Sequence, residues 1–140
     1  MKSMKVVAAI GVAVLLVNFA ACGGGGKYSD VKTVLEKQVA IFEEYGALID
    51  KAASAKDVAA AMNKFAVSMA ELAPQFKAMG EKYPDLGKGE PPAELKELWE
   101  KLQAAGMKMA GAAMKTVQYM QDPEVIAAQQ KLTEAMASIK

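Results

Sequence analysis

The chain of 140 residues contains no histidine, no arginine and a single cysteine, and only 6% of its residues are aromatic. Without histidine it lacks the commonest general base near neutral pH and the commonest transition-metal ligand. No Ser-His-Asp or Cys-His catalytic arrangement can form, and one cysteine cannot make an internal disulfide. The sequence therefore predicts a protein that is not an enzyme and that holds no cofactor or metal.

The charge balance argues against a nucleic-acid partner. All 17 basic residues are lysines, and 16 residues are acidic. Two of the lysines fall in the first five positions, so residues 22–140 carry 15 lysines against 16 acids, a formal net charge of −1. Proteins that bind nucleic acids normally show a basic excess, with arginines for the phosphates. We expect no such partner.

Apolar residues recur at steps of three and four in four segments of residues 29–140, which predicts four amphipathic helices. Alanine and methionine are abundant, while the strand-forming aromatic residues are few. The predicted inner faces are Val31, Leu35, Gln38, Phe42, Tyr45, Ile49 and Ala52; Val58, Met62, Phe65, Met69, Leu72, Phe76 and Met79; Leu95, Leu98, Leu102, Ala105, Met109, Ala112 and Thr116; and Val125, Ala128, Leu132, Met136 and Ile139.

The first two helices have recognisable starts. Ser29 or Asp30 is predicted to cap the first helix, and Ser54 lies at the start of the second. Pro74 falls inside the second pattern, where a missing N–H disrupts the helix. Two shorter helices remain an alternative, but the unbroken apolar phase favours one helix kinked at Pro74.

The later boundaries follow from glycine and proline. Gly80 is a predicted helix stop, and residues 80–92 form the one long predicted loop. Pro91 and Pro92 suit the start of a third helix, which should run to about Met120. Asp122-Pro123 then starts a fourth. Three long helices and one shorter helix with short links predict an all-α, antiparallel helical bundle.

The first 22 residues have the features of an export signal. MKSMK carries two positive charges, and residues 6–21 are uncharged and mostly apolar. This run is shorter than the roughly 20 residues of a spanning helix. Phe19-Ala20-Ala21-Cys22 resembles the lipobox of bacterial lipoprotein precursors. In that family the cysteine receives diacylglycerol and becomes the first residue after cleavage.

The resemblance implies a division of the chain into three parts. Residues 1–21 would be a signal peptide, residues 22–28 a lipidated Cys22 with a glycine-rich tether, and residues 29–140 the helical bundle. Acyl chains such as palmitate on Cys22 would hold the protein on the periplasmic or cell-surface side of a membrane. Gly23, instead of aspartate, resembles the outer-membrane pattern of enteric bacteria. The alternatives are an uncleaved membrane anchor and an ordinary signal peptide with an incidental cysteine.

The stretch Ala104–Met114 contains one charge in eleven residues. With Met109 facing the core, Met107, Gly111 and Met114 point to the opposite side, near Ala104. Methionines among small residues suit an adaptable contact surface, and an envelope protein is the expected partner. The alternative is that the third helix is central and buries this side against a second neighbour.

The sequence therefore predicts a membrane-anchored, non-catalytic binding or structural module of the cell envelope. One alternative is a carrier of a small apolar ligand in the interior of the bundle. A second is a copper(I)-binding protein that uses methionine thioethers. Against copper, Met107 and Met109 diverge by about 200° around a helix.

Overall fold

The computed structural model describes residues 26–139, which fold into four α-helices and contain no strand. The helices are α1 (Ser29–Lys51), α2 (Ala55–Lys82), α3 (Lys96–Thr116) and α4 (Pro123–Ala137). Single 3-10 turns precede and follow α3, at Ala93–Leu95 and Val117–Tyr119. The predicted all-α bundle of three long helices and one shorter helix is confirmed. The proposed signal peptide, residues 1–21, and Cys22 lie outside the described residues.

Helix α1 packs on both α2 and α3. A three-residue link, 52–54, joins α1 to α2 as an antiparallel hairpin. Leu95 before α3 packs with Val31 at the start of α1, while Lys115 near the end of α3 bonds Asp50 near the end of α1. The two helices therefore run in the same direction.

The short helix α4 packs on α2 and closes the other side of the bundle. The Tyr119 hydroxyl, just before α4, donates to the Ala53 carbonyl at 3.3 Å. This bond places the start of α4 at the same end as the start of α2. Successive helices are therefore antiparallel, and they lie side by side in the order α3, α1, α2, α4.

The apolar interior consists of two clusters. The smaller one lies where α1 begins and α2 ends, and its buried members are Val31, Leu35 and Leu95. The larger one fills the rest of the bundle, with the buried residues Tyr45, Ile49, Val58, Ala59, Ala61, Met62, Phe65, Met69, Ala112, Val125 and Ala128. Most of the residues expected on inner faces from helical spacing are therefore packed inside.

Two predicted helix starts are confirmed in detail. Ser54 caps α2, because its Oγ accepts from the N–H of Asp57 at 3.2 Å while its hydroxyl donates to the Asp57 carboxylate at 2.8 Å. Asp122 caps α4 by accepting from the N–H of Glu124 at 2.9 Å, and Pro123 occupies the first turn. These caps satisfy N–H groups that a helix start leaves without partners.

Helix α2 is continuous through Pro74, as the unbroken apolar phase predicted. Pro74 is exposed, so its ring lies outside the core, and α2 also continues two residues past Gly80. A stop at Gly80 was wrong because Met79 and Tyr83 pack against the small cluster and hold the last turn in place.

Two further expectations were wrong. Helix α1 begins at Ser29 with Tyr28 as its N-cap and no side-chain cap, so neither Ser29 nor Asp30 caps it. Asp30 lies in the first turn, where a negative charge is stabilised by the helix dipole. Met136 is 45% exposed, because it lies in the last turn of α4, where the helix ends.

Candidate functional site

The predicted contact residues lie on the outer face of α3. Met107 is 77% exposed and Met114 is 74% exposed. Gly111, which lies between them, and Ala104, one turn before Met107, are exposed as well. Burial of this side against a second neighbouring helix, the alternative from the sequence, does not occur in the described residues. Large methionine side chains in contact with water are a feature that the folding of α3 does not require.

The opposite face of α3 holds the helix in place. Ala105, Ala112 and Thr116 are buried, and α3 packs mainly on α1. The Thr116 hydroxyl donates to the Ala113 carbonyl at 2.7 Å, which satisfies this buried polar side chain. Small residues on this face let the two helices approach closely, and their packing fixes which residues of α3 face outward.

Opposite charges lie along the contact between α1 and α3. Three acidic residues of α1 are spaced seven residues apart, namely Glu36, Glu43 and Asp50. Three lysines of α3 have the same spacing, namely Lys101, Lys108 and Lys115. The Nζ of Lys115 lies 2.5 Å from Oδ1 of Asp50. Glu97, which is hydrogen-bonded to Lys101, raises the pKa of that lysine, and the charge of Glu36 adds to the shift. Lys101 and Lys115, beside the outer face of α3, thus lie near acidic groups of α1.

The end of the bundle that continues into the proposed tether is clamped by side chains. The rings of Tyr28 and Tyr83 lie 5.3 Å apart, and Nζ of Lys82 lies 2.7 Å from Oδ2 of Asp30. The Tyr83 hydroxyl is 2.8 Å from both Asp30 Oδ1 and the Lys27 carbonyl. The hydrogen bond from Lys82, followed by that from Tyr83, lowers the pKa of Asp30. Helical spacing gave no signal for this clamp, because its members come from the start of α1 and the end of α2, which are distant in sequence.

A cavity of about 500 Å³ opens at the opposite end of the bundle, where α1 ends and α2 begins. Its apolar lining includes the buried side chains of Ile49 and Val58, and its polar lining includes Lys115 and Gln118. Met114 belongs both to this lining and to the outer face of α3. The full lining is Ile49, Ala52, Val58, Met114, Lys115, Val117, Gln118 and Tyr119.

Residues 26–139 lack two features of metal-binding and membrane-spanning proteins. No three histidine, cysteine, aspartate or glutamate side chains are grouped as a metal site would need. No helix in this part of the chain has the length and apolar character to span a bilayer. No family model, curated protein or solved structure matches the chain.

Proposed function

We propose that this chain is a lipid-tethered helical-bundle module of the bacterial envelope, and that it binds a partner through the outer face of α3 without catalysis. The observation that carries the proposal is the exposure of Met107 and Met114 on a helix whose opposite face already supplies its packing. The lipobox-like sequence ending at Cys22 supports the tether. Gly23 after it favours the outer membrane.

The chemistry of this face suits protein recognition. Methionine is flexible and polarisable, so it adapts to the shape of a partner. Exposed apolar patches rimmed by polar residues commonly mark interaction sites. The neighbours Ala104 and Gly111 are small, so a partner can approach the helix backbone closely between the two methionines.

The geometry also suits a tethered protein. The tether would enter at the start of α1, beside Asp30, while Met114 lies beside Lys115, which bonds Asp50 near the end of α1. These two acidic residues are about 30 Å apart along the helix, at 1.5 Å per residue. The proposed contact face thus extends away from the anchored end, toward partners in the surrounding compartment.

The tether is tested by the intact mass of the protein from its native membrane. We expect a chain that begins at Cys22 and carries acyl chains, recovered with the outer-membrane fraction. A Cys22→Ser variant should leave that fraction. A native product with an unmodified cysteine and residues 1–21 still attached would overturn the tether.

The contact face is tested by photo-crosslinking in living cells. A photoreactive amino acid at position 107 or 114 should give defined adducts, whereas the same group at the exposed Val67 of α2 should not. Met107→Lys combined with Met114→Lys should remove the adducts formed from a probe at Gly111 while the circular dichroism spectrum is unchanged. Equal labelling from position 67 would contradict the assignment.

The cavity at the end of the bundle favours a second candidate, a carrier of a small apolar ligand. Its volume of about 500 Å³ lies within the range of small-molecule sites, roughly 300–1,000 Å³. Native mass spectrometry should then detect a retained small molecule. Ala52→Trp, in the lining, should displace it, while Met107→Lys, outside the lining, should not. The absence of any retained molecule in the wild-type chain would reject this candidate.

A further inference from the structure

Two methionines stand out among the exposed apolar side chains of residues 26–139. Met107 is 77% exposed and Met114 is 74% exposed, whereas the core residues Met62 and Met69 are 5% and 2% exposed. Met136, in the last turn of α4, lies between these extremes at 45%. The thioethers of the bundle therefore differ widely in their access to water and to dissolved reagents.

The neighbours of the two exposed methionines are small. A long side chain on a helix turns back over the preceding turn, so Met114 lies over Ala110 and Gly111. Met107 lies beside Ala104, three residues before it. These three neighbours carry at most a methyl group, and all of them are exposed. Side chains of this size cannot cover a thioether, so a reagent in solution reaches both sulfur atoms.

The bundle does not use these two side chains for its packing. Neither Met107 nor Met114 belongs to either apolar cluster, and α3 is held by the buried residues of its opposite face. A polar group added to either side chain therefore stays in water. The same group on Met62 or Met69 would have to enter the larger cluster, where it would have no water to bind.

Oxygen transfer is the reaction to which an exposed thioether is susceptible. The sulfur lone pair attacks one oxygen of hydrogen peroxide, an S–O bond forms, the O–O bond breaks, and the second oxygen leaves as water. Sulfur loses two electrons, and the peroxide gains them. Methionine sulfoxide reductases reverse the change with two thiols, which become a disulfide while the oxygen leaves as water.

We propose that Met107 and Met114 are a site of reversible oxidation by hydrogen peroxide, and that their oxidation converts the outer face of α3 from apolar to polar while the bundle stays folded. Both sulfoxides project from the same exposed face, so a reductase reaches them without unfolding the chain. The two side chains are exposed in the single bundle. Their oxidation therefore requires neither the tether nor the partner of the proposed function.

Peptide mapping of the folded, full-length chain after timed exposure to hydrogen peroxide measures each site. Cleavage after lysine places Met107, Met62 and Met69 in three separate peptides, and fragment-ion spectra separate Met114 from Met109. We expect the two outer methionines to gain oxygen on the order of tenfold faster than the two core methionines, because oxidation follows exposure. In the urea-unfolded chain all four should react at similar rates.

The effect on the fold is measured on the chain that carries both sulfoxides. Its Tm should lie within about 3 °C of the unmodified value, as for other changes at exposed positions. It should elute earlier from a hydrophobic-interaction column, because a sulfoxide is polar. Reductases for both sulfoxide epimers, supplied with a dithiol, should restore the original mass and elution.

The matched control keeps the face apolar and removes its sulfur. Met107→Leu combined with Met114→Leu should fold with an unchanged circular dichroism spectrum, since leucine is also a good helix former. Under the same exposure to peroxide its elution should shift far less than that of the parent chain. An equal shift would mean that other residues are the oxidised site, and it would overturn the assignment.

Three further results would overturn the proposal. The first is oxidation of Met62 in the folded chain as fast as that of Met107. The second is a fall in Tm above about 10 °C when only the outer face is oxidised, which would show that the fold depends on it. The third is a pair of sulfoxides that the reductases reduce only in the unfolded chain.

This site and the proposed function can fail separately. Selective, reversible oxidation together with an absence of photo-adducts in cells would support the oxidation site and reject the contact face. Photo-adducts from position 107, together with unselective oxidation of the purified chain, would do the reverse.

Discussion

Replacing Leu95 with alanine should destabilise the whole bundle. Leu95 is 0% exposed and lies just before α3, where it packs with Val31 and Leu35 of α1. It is the only residue from the α3 side that is fully buried in the small cluster. Removing its branched side chain therefore opens a cavity at the point where α3 first meets α1.

The magnitude follows from burial. Leucine-to-alanine changes in protein cores cost about 2–5 kcal/mol, depending on how far the neighbours collapse into the cavity. Met79 packs against this cluster and is flexible, so we expect partial relaxation and a cost of about 3 kcal/mol. For a domain of this size, that corresponds to a fall in Tm of about 10–15 °C.

The single tryptophan gives this prediction a second readout. Trp99 packs against the same cluster, so its fluorescence reports on this end of the bundle, while circular dichroism reports on all helices. Because α1 and α2 run through both clusters, the two transitions should shift together in Leu95→Ala. Val67→Ala, at an exposed site, should change stability by less than about 0.5 kcal/mol.

Two results would refute this reasoning. A loss below about 1 kcal/mol would mean that Leu95 does not carry the packing of a buried leucine. A tryptophan transition that precedes the loss of helix would mean that the small cluster unfolds as a separate unit.

Three other changes test the helices themselves. Pro74→Ala should raise the free energy of unfolding by up to about 3 kcal/mol, because Pro74 is exposed inside α2 and lacks a helix N–H; a fall in the urea midpoint would show that the bundle needs the proline. Ser54→Ala should cost about 1 kcal/mol at pH 7 through loss of the cap. Hydrogen bonds from the Ser54 hydroxyl, the larger cause, and from the Ala53 N–H lower the pKa of Asp57 from its ordinary value of 3.8. The stabilisation from these bonds is therefore present above pH 3.8, and it is lost as the pH falls through the lower pKa of Asp57 in the folded state. Denaturant titrations of both chains between pH 7 and pH 2 should therefore show a smaller difference in stability at the acid end, where only the pH-independent bond from the Asp57 N–H to Ser54 Oγ still distinguishes them, and a constant gap would contradict the coupling. Asp50→Lys should cost at most about 1 kcal/mol at this exposed pair, and adding Lys115→Asp should restore most of it; a double-mutant cycle without coupling energy would show that the pair does not align α1 with α3.

Helical spacing alone predicted where the helices lie, because each buries one apolar stripe. Val58, Met62, Phe65 and Met69 step by three and four, and all four are buried. The same phase indicated that α2 continues past Pro74. Side-chain direction on a helix likewise predicted that Met107 and Met114 share a face.

The pairing of the helices was harder to predict. A periodic stripe shows which face of a helix is buried and not which neighbour buries it. The three acids of α1 and the three lysines of α3 share a spacing of seven, and this signal is consistent with their parallel alignment. Local spacing also failed at the ends. Met136 has core phase but lies in a last turn with few neighbours, and the clamp around Asp30 joins residues distant in sequence.

The position of α1 explains why the outer face of α3, with Met107 and Met114, is exposed. A helix in the middle of a row uses two faces, and α1 packs α2 on one side and α3 on the other. Since α4 packs on α2, α3 is left at the edge of the row with one covered face. The outer side of an edge helix in a monomer needs only polar residues. The part of α3 near Lys96 and Glu100 has such an outer side. Methionines at 107 and 114 add nothing to the packing within one chain, so their presence is best explained by a contact that forms after the bundle has folded.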